Sequence, residues 1–148
     1  MVSALLARAA ALASSLALVA QGVSGPRPLA GTYWKAIELA GKPVPSQGSS
    51  HEAYLVLQEG GRVYGSDGCN RVAGTYQMKD TAITFSEMAA TRMACINAGD
   101  IDVAFRDALK SARRLTVAGD RLDLLDSADK RVAVFLAVSS HPADPGRR

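Results

Sequence analysis

Aromatic residues make up only 5% of this 148-residue chain: one Trp, four Tyr and three Phe. A core built from it must consist mostly of Leu, Val, Ile and Ala gathered around Trp34. Potential metal ligands are equally sparse. Zinc needs about four ligands, and Cys69, Cys95, His51 and His141 show no ligand spacing, so no metal site is expected. Charge of one sign is scarce as well. The formal charge is only +3, from 17 basic and 14 acidic side chains. The basic residues are scattered along the chain rather than clustered, which argues against a nucleic-acid footprint. No phosphate-binding loop or dinucleotide fingerprint is present, so no cofactor is expected.

Long hydrophobic runs are also missing, apart from one at the N-terminus. Met1–Arg8 carries a positive charge and no acid, Ala9–Ala20 is an Ala/Leu/Val run broken only by Ser14 and Ser15, and Gln21-Gly22-Val23-Ser24-Gly25-Pro26 follows. A basic start, a short apolar centre and a small-residue exit are the order of a secretory signal peptide. The run falls short of the roughly 20 residues that a membrane span needs. Residues 1–22 therefore read as a leader, cut after Gly22 or Ala20, and residues 23–30 as a linker. No cysteine follows the apolar run to carry a lipid anchor. The expected product is periplasmic or secreted, with no stable membrane insertion after processing. In an exported chain, two cysteines read as one disulfide rather than as free thiols. Closing the loop from Cys69 to Cys95 stabilises by about 3.5 kcal/mol on the chain-entropy relation.

What the chain does contain is a series of short β-like runs around one sharp turn. Gly65-Ser66-Asp67-Gly68-Cys69-Asn70-Arg71 holds residues suited to tight turns and to the left-handed region. Strands are predicted at 32–39, 52–58, 62–65, 72–78 and 81–85, and three more in a meander at 115–117, 121–125 and 131–138. In the first, Trp34 and Ala36 share one face while Tyr33, Lys35 and Ile37 share the other. Residues 87–95 fit either a helix or an irregular segment lying on the core. Residues 97–112 form the one strong helix, with Ile101, Phe105, Ala108, Leu109 and Ala112 on one face and Asn97 or Asp100 as its cap. Residues 139–148 read as a disordered tail. The fold class is thus mainly β: a small antiparallel barrel or strongly curled sheet of about eight strands, with one amphipathic helix covering an open end.

An enzyme would need a nucleophile with its base, or paired carboxylates, in a cleft. His51 follows Ser49-Ser50 in a Ser-rich loop and His141 lies in the tail; neither belongs to a nucleophile motif. Asp67 and Glu87 are conceivable as a carboxylate pair, but Arg71 and Arg92 lie in the same segments, and ion pairing between those segments is the simpler account. No catalytic residue is assigned.

Gly68-Cys69-Asn70-Arg71, followed by Gly74-x-Tyr76 and then Thr91-Arg92-Met93-x-Cys95, resembles the signature of the META domain, the family of the bacterial heat-shock protein HslJ. Gly31-Thr32-Tyr33-Trp34, Gly41-Lys42-Pro43-Val44 and Leu122-x-Leu124 agree with it. One departure is Ala40, where Asn is usual before the glycine. The resemblance covers about residues 29–138. It implies a β-barrel-like domain with a helix, usually exported or lipid-anchored, with links to heat stress and antibiotic resistance and no established catalytic activity. It implies a structural role for Gly68, Asn70, Arg71, Gly74, Tyr76, Thr91, Arg92 and Met93. The two alternatives to a stress-linked envelope protein are a small barrel that binds an apolar ligand or lipid and a protein-partner-binding envelope factor.

Overall fold

A computed structural model of the protein describes residues 25–46, 51–96 and 99–139. The expected leader, Ser49-Ser50, Asn97, His141 and the expected tail beyond residue 139 lie outside the described residues. Among the described residues, nine strands form one antiparallel sheet: β1 (Tyr33–Leu39), β2 (Lys42–Pro43), β3 (Ala53–Gln58), β4 (Arg62–Asp67), β5 (Arg71–Lys79), β6 (Ala82–Ala90), β7 (Arg114–Ala118), β8 (Arg121–Leu125) and β9 (Arg131–Val138). Helix α1 (Ile101–Ser111) intervenes between β6 and β7. Each strand from β3 onward pairs with the next, β1 pairs with β3, and β9 returns to pair with β1, closing the sheet into a ring. The ninth strand is the two-residue β2, which folds back on Glu38 and Leu39 through Ala40-Gly41.

Period-two alternation sets the inside of the ring. Trp34, Ala36, Leu55, Leu57, Val63, Ile83, Leu122, Leu124 and Phe135 are all buried in one cluster. The face of α1 carrying Phe105, Ala108 and Leu109 joins that cluster, with Phe105 edge-on to Phe135 at 6.2 Å between ring centroids. The helix touches β1, β3, β4, β6 and β9, strands from different sides of the ring, so it lies across one end of it. Asp100 occupies the N-cap position, although its side chain makes no capping hydrogen bond.

Two departures from the sequence reading, and one burial it did not address, have physical causes. Tyr33 points away from the barrel interior yet is buried, because its ring stacks on Tyr54 at 4.3 Å and its hydroxyl donates to Glu52 at 2.8 Å. Residues 87–90 continue β6 rather than leaving the sheet. They do so through a bulge against β5, where the register shifts between Ala73 and Thr75 and Glu87 takes a positive φ of 53°. Gly74 sits opposite; a Cβ there would lie 2.9 Å from the Ser86 carbonyl oxygen, so only glycine lets the two backbones come this close. Finally, part of the predicted linker is docked. Trp34 Nε1 donates to the Leu29 carbonyl at 3.1 Å, Ala30 bridges to Leu57, and the Arg27 amide donates to the Gly119 carbonyl.

Candidate functional site

The β4–β5 turn is built around one buried carboxylate. Along β4, Val63, Gly65 and Asp67 alternate onto the inward face, and Asp67 is fully buried. Its Oδ1 accepts the amides of Cys69 at 3.0 Å and Asn70 at 2.6 Å. The Asp67 amide in turn donates to the Asn70 carbonyl. Gly68, at φ 91°, supplies the left-handed step between them. Any side chain there would also crowd Ile101 of the helix.

Asn70 carries the turn across to the downstream signature segment. It is only 6% exposed, and its Oδ1 accepts from the Thr91 hydroxyl at 3.1 Å and the Met93 amide at 2.6 Å. The Thr91 hydroxyl oxygen accepts the Arg71 amide, and the Thr91 amide donates to the Arg71 carbonyl. Residues 91–96, which carry no regular secondary structure, are thus tied to the turn at Thr91 and Met93, with Asn70 Oδ1 as the shared acceptor. Next to this clamp, Cys69 and Cys95 stand at disulfide distance, with Cα atoms 5.8 Å apart, inside the range a disulfide requires. Two cross-links, one polar and one between sulfurs, join the same two segments.

The sequence expectation that Arg71 or Arg92 would pair with Asp67 or Glu87 is corrected by the structure. The partner of Asp67 is Arg106 of the helix, whose Nε lies 3.6 Å from Oδ2. Asp67 Oδ2 accepts no hydrogen bond among the described residues. Alternation explains the difference: Asp67 and Val72 face inward, so Arg71, next to Val72, projects outward. Arg71, Glu87 and Arg92 are exposed. Arg106 also holds Asp102, bonding its carboxylate at 3.0 Å and its carbonyl at 3.1 Å. Arg106 was not singled out from sequence. The available signal was its place beside Phe105, at the border of the buried helical face.

Of the remaining signature residues, Tyr76 donates its hydroxyl to the Gln58 carbonyl at 2.8 Å and so ties β5 to the end of β3. Burial, and then the nearby Glu59 carboxylate, raise its pKa above the ordinary tyrosine value. Met93 is 62% exposed and contributes its amide rather than its side chain. His51 is exposed at the entry to β3. Among the described residues, no group of three or more His, Cys, Asp or Glu side chains is arranged to hold a metal ion.

Among the described residues, two concavities border helix α1. The larger, about 810 Å³, lies between the polar side of α1 and the β8–β9 turn and is lined by Val103, Asp107, Lys110, Arg113, Lys130 and Val132 among others. The smaller, about 250 Å³, runs between α1 and β6 and is lined by Val72, Phe85, Met88, Arg106, Leu109 and Lys110 among others.

The fold and the clamp define a class: a small closed antiparallel barrel, capped by one helix and cross-tied at a cysteine-bearing turn. More particularly, the META domain family matches residues 27–139, and the chain belongs to that family. It is similar to a protein from Burkholderia xenovorans solved by NMR, with 28% identity and a TM-score of 0.62 over 76% of this chain and 85% of that one. It also resembles the crystal structure of a DUF4847 family protein from Bacteroides vulgatus ATCC 8482. That likeness has a TM-score of 0.57 at 16% identity, covers 76% of this chain and 96% of that one, and concerns the fold alone. No curated protein matches the chain.

Proposed function

We propose that this META-domain protein is exported to the envelope or the exterior, has no catalytic role, and works by binding a protein partner on its outer surface as part of stress or antibiotic tolerance. The observation that carries the reading is the filled interior. Trp34, Phe105 and Phe135 are each 0% exposed and belong to the one core cluster that fills the ring, where a ligand-binding barrel would keep a cavity. Both concavities border helix α1, and neither is lined by Trp34, Phe105 or Phe135, which favours a partner-binding protein over a lipid- or apolar-ligand carrier. Export rests on the basic, apolar and small-residue order of residues 1–22. A cysteine pair at bonding distance suits the oxidising conditions outside the cytoplasm. The stress link is carried over from the family resemblance.

Expression of the whole chain in a secreting bacterial host tests this. A mature protein beginning near Gln21 or Val23, with no titratable thiol after denaturation without reductant, is the expected result. A deletion strain should lose tolerance to heat or antibiotic and regain it from the full chain but not from one lacking residues 1–22. Protein that stays in the cytoplasm and still begins at Met1 would sink the export reading. Turnover of a substrate that is lost in His51→Ala would sink the non-catalytic one.

A further inference from the structure

The ring is closed unequally, and the weak closure leaves a strand edge beside a groove. β6 and β7 share a single register pair, Ala82 with Arg114, flanked by the Ile83 amide donating to the Arg113 carbonyl and the Leu115 amide donating to the Thr81 carbonyl. Beyond Ile83 the two strands diverge. Because Ile83 turns its backbone groups toward β7, Phe85, two residues on, turns its amide and carbonyl the same way. No backbone hydrogen bond to either group is found among the described residues. At the far end of β6 the Thr91 amide faces β5, so Ala90 faces the gap. A row of backbone donors and acceptors from Phe85 to Ala90 therefore borders the smaller groove, whose opposite wall is Arg106, Leu109 and Lys110.

We propose that this edge is a β-augmentation site: an extended peptide from a partner protein adds itself alongside β6, places one large apolar side chain in the groove, and carries an acidic residue next to it. Three features select that occupant. The strand edge asks for an extended backbone, which satisfies the Phe85 groups by ladder pairing. A groove of about 250 Å³ accommodates one Leu- or Phe-sized side chain, and its walls of Phe85, Met88 and Leu109 are apolar. The charge at its margins is mainly positive: Lys110 lines it, and Arg71 and Arg92 stand exposed near its Ala90 end with no ion pair among the described residues. Arg106 is already engaged by Asp67 and Asp102, which leaves Glu87 as the acid in the lining. The proposal rests on the partner-binding reading above and names where and what the partner is.

The test uses the mature, oxidised chain and a synthetic peptide of alternating Thr, Val and Glu around a central Leu. Titration followed by NMR should perturb the Phe85, Met88, Ala90 and Leu109 resonances and protect the Phe85 amide from exchange. Lys110→Glu should weaken binding about fivefold, the equivalent of one partly exposed charge contact. N-methylation of alternate peptide amides, or exchange of its Glu residues for Lys, should abolish binding. The proposal is overturned if binding survives N-methylation, or if millimolar acidic peptide leaves the β6 resonances unmoved. It is also overturned if sedimentation shows a dimer of the chain that protects the same amide, since the edge would then serve self-association. A partner recovered by cross-linking with its footprint on the β8–β9 side would likewise refute this site while leaving the partner-binding reading standing.

Discussion

At the scale of single residues, two kinds of side chain fix this domain: those that satisfy backbone groups and those that set the backbone's direction. Asn70 is of the first kind. Its Oδ1 is the acceptor for both Thr91 and Met93, so Asn70→Ala leaves the part-buried Met93 amide and Thr91 hydroxyl without that acceptor. The expected cost is about 1–3 kcal/mol in urea unfolding, against almost none for Met93→Ala, whose side chain is in solvent. Ala40 is of the second kind. It holds a positive φ of 50° ahead of Gly41 at 76°, the conformation in which Asn-Gly is favoured and a Cβ-bearing residue such as Ala is strained. Ala40→Asn should therefore raise the melting temperature, by the equivalent of about 0.5–1 kcal/mol; an unchanged or lower value would mean the turn carries no strain. Tyr33 yields a pH dependence. Burial, reinforced by the bond to Glu52, lifts its pKa above the ordinary 10.0. The folded state then keeps a proton that the unfolded state gives up. The stability this represents is complete below about pH 10 and is lost as pH climbs toward the folded-state pKa. Denaturant unfolding above that pH should show wild type losing stability faster than Tyr33→Phe.

Among the elements, legibility followed the locality of the physics. The helix and most strands could be read because alternation and helical spacing are written within a few residues. Phe105, Ala108 and Leu109 lie in one window, and Thr81 to Phe85 alternates without interruption. Residues 87–90 could not be assigned, because their place in β6 depends on a bulge whose partner, Gly74, is on the neighbouring strand. The Asp67–Arg106 pair was missed for the same reason: nothing local links a turn to the border of a distant helix. β2 was too short to give any pattern. The two cysteine segments were legible as signature pieces, and their cross-linking yields an element-level prediction. If the Cys69–Cys95 bond forms, it closes a loop with a sequence separation of 26, worth about 3.5 kcal/mol in chain entropy. Cys69→Ser and Cys95→Ser should then lower stability equally, and the double variant should be no worse than either one. Reductant should bring wild type to the same level. Unequal single variants would mean that packing of one sulfur, rather than the bond, supplies the stability.

For the molecule as a whole, every seam of the ring holds at least three register pairs, β1–β3 being the shortest of these, except β6–β7, where one register pair and two flanking bonds do the work. The β1–β9 ladder, by contrast, runs from Tyr33 to Leu39. Helix α1 stands beside the weak seam and anchors itself in the core through Phe105 and Leu109. Local opening should therefore start at this seam, since it breaks few backbone bonds and exposes little apolar surface. Hydrogen exchange tests the ranking. The Ile83 and Leu115 amides should exchange through a low-energy opening that barely responds to denaturant, whereas hydrogen-bonded β1–β9 amides should exchange only with global unfolding. Phe105→Ala removes the helix's anchor at a cost of about 3–5 kcal/mol. It should speed seam exchange by more than its effect on global stability accounts for, because it loosens the helix packed against β6 beside the seam. If the seam and the β1–β9 amides instead exchange together at every denaturant concentration, the ring opens as one unit, and its unequal ladders are not reflected in its dynamics.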